Sequence, residues 1–155
     1  MLTREVEKKI ASLIYIGAPF TSILVITNIV SDPVNVTKLL STGIIACAIA
    51  ALLIFKTNVK FWQQSRAISL SFGFFLLAGL WAAINSDSPL QQNIYGTFGR
   101  NTGLLAYVAM GIIALGASAL TSMESLKRIM FGFGAAGLIN IVYCFIAWQF
   151  DDPIN

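Results

Sequence analysis

The run LLSTGIIACAIAALLIF, residues 39–55, holds no charged side chain, and Ser41 and Thr42 are its only hydroxyls. A bilayer hydrocarbon core about 30 Å thick takes roughly twenty apolar residues wound as a helix. The stretch therefore reads as a membrane span. Four more segments share its character: Ile10–Val30, with a kink expected at Pro19, Ala67–Ile84, Thr102–Leu120 and Ile129–Phe150. Helices are the expected form because each satisfies its own backbone amides in lipid. A barrel would instead show alternating segments of about ten residues. The predicted fold is all-α: a polytopic transmembrane helix bundle of about five spans, forming a single membrane domain over residues 1–155.

Composition agrees. Of 155 residues, 57% are hydrophobic and 11% charged, against about 25% charged in a soluble domain. The net charge of +3 does not point to nucleic acid, since no basic patch is interleaved with aromatics. The basic residues mark topology instead. Arg4, Lys8 and Lys9 precede span one, Lys56, Lys60 and Arg66 follow span two, and Lys127 and Arg128 follow span four. The opposite side has only Lys38 and Arg100. The positive-inside rule then puts the N-terminus in the cytoplasm and the C-terminus outside.

Several motifs read as packing rather than chemistry. GFGAAG, residues 132–137, fits a dinucleotide pattern literally, but no strand precedes it and it lies within a span. Its small residues suit close helix approach, as do Gly73, Gly79, Gly111 and Gly116. Asn28, Asn85 and Asn140 read as interhelical hydrogen-bond partners. The NVT triplet at Asn35 fits a glycosylation acceptor and carries little weight. Cys47 and Cys144 read as small hydrophobes. The chain has no histidine, so a Ser-His-Asp set is impossible within it. Asp151 and Asp152 read as a solvated helix end. No metal or cofactor is implied.

The residues from Asn85 to Gly99 read as an interfacial loop rather than a helix. Gly96 and Gly99 permit tight turns, and Tyr95 and Phe98 suit the headgroup level. Arg100 follows, beside the expected N-terminus of span four. Three readings stay open for it. It is an interfacial anchor, a loop element bonded to carbonyls, or an anion site. In the last, a guanidinium grips phosphate bidentately next to a helix end whose amides favour anions. Gly99 and Gly103 would let a headgroup approach the backbone.

The segment YGTFGRNTGLLAYVAM resembles a stretch of the bacterial O-antigen ligase and polymerase membrane proteins. There a short outside loop reads roughly F-G-x-x-x-R-x-x-G-L before a span. Two registers fit, through Phe98-Gly99 or through Tyr95-Gly96. The second keeps the spacing throughout, with Tyr95, Gly96, Arg100, Gly103 and Leu104. AWQFDDPIN resembles the start of that family's next outside loop.

The resemblance implies a multi-pass protein of the bacterial cytoplasmic membrane, a glycosyltransferase of the cell envelope in lipopolysaccharide-type biosynthesis. Such proteins move a glycan from an undecaprenyl pyrophosphate carrier to lipid A core, another glycan or a protein. It implies lipid-diphosphate binding by Arg100, with Tyr95, Gly96, Gly99 and Gly103 around it. The family's later arginines and histidine have no counterpart here, so the chain reads as an N-terminal fragment, inactive alone. The alternative is a non-enzymatic scaffold or accessory subunit whose glycine-rich faces take helix partners.

Overall fold

The computed structural model describes residues 2–25, 34–57, 66–97 and 102–149. These are all-helical, without strands. The elements are α1 (Arg4–Ile23), α2 (Asn35–Lys56), α3 (Arg66–Asn85), α4 (Leu90–Tyr95), α5 (Leu104–Ser118) and α6 (Met123–Gln149). Three helices, α2, α3 and α6, are long and apolar enough to cross a membrane.

The other two expected spans differ. At α5 the apolar helix has 15 residues, about 22 Å at 1.5 Å per residue and short of the hydrocarbon core. Helix α1 begins six residues before the expected Ile10, because Thr3 caps it. The Thr3 hydroxyl accepts from the Val6 amide at 3.4 Å, and Glu5 and Glu7 occupy the first turn, where the helix dipole favours carboxylates. Its opening turns are therefore charged, not apolar.

The core is one knot. Val6, Ile10, Ala11 and Ile14 recur at helical spacing on one face of α1 and pack against Ile49 and Leu53 of α2 and Leu120 after α5. Ile10 and Ile49 are fully buried. Polar links join the same helices: the Thr21 and Ser41 hydroxyls lie 2.7 Å apart. Asn140 donates to its own helix at Ala136 and, at 3.4 Å, to Ser22 of α1. Asn85 bonds only within α3, to the Trp81 carbonyl, and Asn28 lies outside the described residues.

Helix α1 packs most extensively on α6. Pro19 sits inside α1 and has no N–H, so the Tyr15 carbonyl loses its helical partner. Gly132 fits against that spot: a Cβ there would meet the Tyr15 Cα and carbonyl oxygen at 2.8 Å. The packing reading of GFGAAG thus holds at Gly132, while Gly134 and Gly137 face open space. Of the other glycines, Gly79, Gly111 and Gly116 receive side chains from neighbouring helices, and Gly73 receives none. Cys47 and Cys144 are free and exposed on the apolar helix flanks.

Helix α3 is peripheral. None of its residues is buried, and among the described residues it meets the bundle through α4 and α5, with Phe75 edge-on to Tyr107 at 6.2 Å. Helix α5 connects two distinct ends. At its C-terminal end, Glu7 of α1 bonds the backbone of Thr121 and Ser122. At its N-terminal end, the α3–α4 corner folds over Gly103.

Candidate functional site

The segment expected to be an unstructured interfacial loop contains a helix. Pro89 fixes its own φ at −54° and ends in extended ψ, a preset entry to a helical turn. Its carbonyl accepts from the Gln92 and Asn93 amides. The six residues of α4 follow and end at Gly96, whose φ is 94°, a conformation that favours glycine. The chain thereby turns back towards α5.

Asn93 pins this helix. Its Nδ2 lies 3.0 Å from the Ala83 carbonyl, 2.6 Å from the Ser86 hydroxyl and 3.2 Å from the Ser88 carbonyl. The polar run QQN, residues 91–93, suggests only a loop, and the pinning partner is set by tertiary geometry. A second lock is Gly103. The place a Cβ would take is already filled by the Ile94 carbonyl and the Gly96 amide. Gly103 therefore admits its own chain to close contact, rather than standing open to a headgroup.

Between the end of α3, α4 and the start of α5 lies a cleft of about 740 Å³. Phe75, Gly79, Ala82, Leu104 and Tyr107 form its apolar part, and Ser86, Ser88, Gln92, Asn93, Thr97 and Thr102 its polar part. Gly96 and Gly103 line it, so two of the expected site residues come together. Tyr95 is 53% exposed and stands outside the lining. Gly99 and Arg100 lie outside the described residues, as does Phe98. The chain leaves the described part at Thr97 and re-enters it at Thr102, and both line the cleft.

No protein-family model, curated protein or solved structure matches this chain.

Chemically, the cleft offers hydroxyl and amide groups able to bond a polar headgroup, over an apolar floor that suits a lipid tail. Among its lining residues none is ionisable at neutral pH. Residues 98–101, which connect Thr97 to Thr102 in the sequence, include one charged side chain, Arg100.

Gly103→Ala is expected to push α4 and the Gly96 turn off α5. A methyl cannot enter a site filled by backbone, and such overpacking costs about 1–3 kcal/mol. Amide exchange at Asn93 and Gly96, whose N–H groups bond to Pro89 and Gln92 carbonyls, should quicken. Unchanged exchange in the variant would contradict this packing.

Proposed function

We propose that the chain is the N-terminal membrane portion of a glycan ligase or polymerase. It works at the outer face of the bacterial cytoplasmic membrane on a glycan carried by undecaprenyl pyrophosphate. The observation that carries the reading is the cleft, lined by Thr97 and Thr102, between which the sequence carries Arg100. Of the residues that carry the resemblance, Gly96, Gly103 and Leu104 line the cleft.

In this reading the carrier's diphosphate sits at the polar end of the cleft and its prenyl chain meets the apolar part. Transfer is a displacement at the anomeric carbon: the acceptor oxygen forms the new bond and the lipid diphosphate leaves with the bonding pair. Arg100 neutralises charge on that leaving group. Gly96 and Gly103 hold the two sides of the cleft together. The five-span arrangement with a cytoplasmic N-terminus belongs to the same proposal. It is supported by the eight-to-two division of basic residues in the sequence under the positive-inside rule.

A second reading, an accessory subunit without chemistry, is favoured by one observation. Helix α3 buries no residue within this chain, leaving Phe74, Leu77 and Trp81 exposed.

Binding of an undecaprenyl-diphosphate-linked glycan to the detergent-solubilised chain separates the two readings. Arg100→Ala should weaken it roughly tenfold to a hundredfold, the range for losing hydrogen bonds to a charged group. Lys60→Ala, on the other side in this topology, should leave it nearly unchanged. Equal effects of the two substitutions would reject the site.

A further inference from the structure

The groove between α1 and α2 is a second feature, running along most of both helices, with its lysine-lined mouth at the end of the bundle away from the cleft. Its volume is about 900 Å³. Ala48 and Ala51 make it deep, Ile45 packs into the space beside Gly17, and Ile16, Phe20, Ile44 and Phe55 make it apolar. Ile44 and Phe55 are 67% and 79% exposed, so nothing within the described chain covers its walls.

Charge gathers at one end only. Lys8 and Lys9 come from the first turns of α1, and Lys56 from the last turn of α2. One carboxylate, Glu5, accompanies them. It bonds Lys9 at 2.6 Å, and Lys8 lies 3.9 Å from Glu124 of α6. Both pairs are solvent-exposed, and such pairs hold their lysines weakly. Lys56 has no ion pair among the described residues. The mouth therefore carries three cations against one lining anion.

The length is also informative. From Lys9 to Phe20 along α1 is about 17 Å, and from Lys56 to Ser41 along α2 about 22 Å, at 1.5 Å per residue. One leaflet with its headgroup layer is roughly 20–22 Å deep, half of a 40–45 Å bilayer. A partner helix crossing the hydrocarbon core would need a groove of about 30 Å. An anionic lipid needs one leaflet of apolar wall and a cation cluster at headgroup depth.

We propose that the α1–α2 groove is a binding site for an anionic phospholipid, its phosphate among Lys8, Lys9 and Lys56 and an acyl chain along Ile16, Ala48 and Ala51. Each ammonium acts as a point charge on the phosphate. The site is separate from the cleft near Gly103 and stands whether or not that cleft binds a diphosphate.

Thermal unfolding of the detergent-solubilised chain tests it, with phosphatidylglycerol, phosphatidylcholine of the same acyl chains, or sodium phosphate added. Phosphatidylglycerol should raise Tm by about 5 °C at saturation, and the other two should not. The shift should vanish in the triple variant Lys8→Gln/Lys9→Gln/Lys56→Gln, with its Tm in phosphatidylcholine unchanged. It should also vanish in Ala51→Phe, which fills the groove and keeps every lysine. Should the triple variant fail to fold, Ala51→Phe decides. Equal stabilisation by phosphatidylcholine, or by phosphate alone, overturns the proposal. So does a full phosphatidylglycerol shift in either variant.

Discussion

Gly132→Val is expected to destabilise the bundle by about 3 kcal/mol, the upper end for overpacking a tight contact. In a chain of this length that lowers Tm by roughly 6–12 °C. The reason is what the new Cβ would meet: the backbone of Tyr15, 2.8 Å away at both Cα and carbonyl oxygen. A flexible side chain could swing aside, but a helix backbone moves only if α1 and α6 separate. That separation would also strain the Asn140–Ser22 contact. In lipid, helices gain little from burying apolar surface against one another, so close backbone packing carries much of the association. Gly134→Val is the control. It sits two residues along the same helix and meets nothing within 4 Å, so it bears the same change in helix propensity without the clash. Thermal unfolding of both variants in detergent checks the claim, and equal losses would refute it.

The second large effect is expected at Glu7. Its carboxylate oxygen accepts from the Thr121 amide at 2.8 Å and the Ser122 amide at 2.5 Å. Ser122 is the cap of α6: its hydroxyl accepts from the Ser125 amide and its carbonyl from Leu126. A buried carboxylate of α1 thus closes the N-terminal end of α6, where the helix dipole favours negative charge. Burial pushes the Glu7 pKa up, but the Ser122 and Thr121 donors outweigh it and hold the group below its ordinary value.

The sign follows. The folded state binds this proton less tightly than the unfolded chain does. The Glu7 contribution is complete above the ordinary glutamate pKa of about 4.3 and is lost as pH falls through the lower folded value. Glu7→Ala should cost about 3 kcal/mol at neutral pH, from two charge-assisted bonds partly replaced by water. The Tm gap between wild type and variant should narrow as pH falls below about 4.3. Glu5→Gln, on an exposed pair with Lys9, should change little above or below that pH. A gap that stays constant with pH would show that the carboxylate's charge is not what holds α6.

What could be read from the sequence follows from where the physics is local. The apolar runs behind α2, α3 and α6 needed only length and composition, and they stand as helices able to cross a membrane. The starts of α1 and α6 were also legible, though a purely apolar reading passed over them. Thr3 before Glu5, and Ser122 before Glu124, are capping patterns that begin each helix six residues ahead of the hydrophobic run. Helix α4 was hidden because a six-residue amide-rich turn has no hydrophobic period, and Pro89 reads equally as a loop signal. Which glycine of GFGAAG meets a backbone was not legible at all. It depends on the face that α6 turns towards α1. The approach of Gly96 to Gly103 and the reach of Glu7 to Ser122 likewise depend on how the helices come together. The family resemblance implied Gly96 and Gly103 as site residues, and the sequence could not show that Asn93 pins the helix that ends at Gly96.

The account's central claim is that the cleft and its arginine face the outside while the lysine-ringed end faces the cytoplasm. Cysteine labelling in intact cells tests it most directly, in a chain with Cys47→Ser and Cys144→Ser. A membrane-impermeant maleimide should modify Thr97→Cys on the cell exterior and should reach Lys9→Cys only after lysis. Labelling of Lys9→Cys in intact cells, with Thr97→Cys protected until lysis, would contradict it.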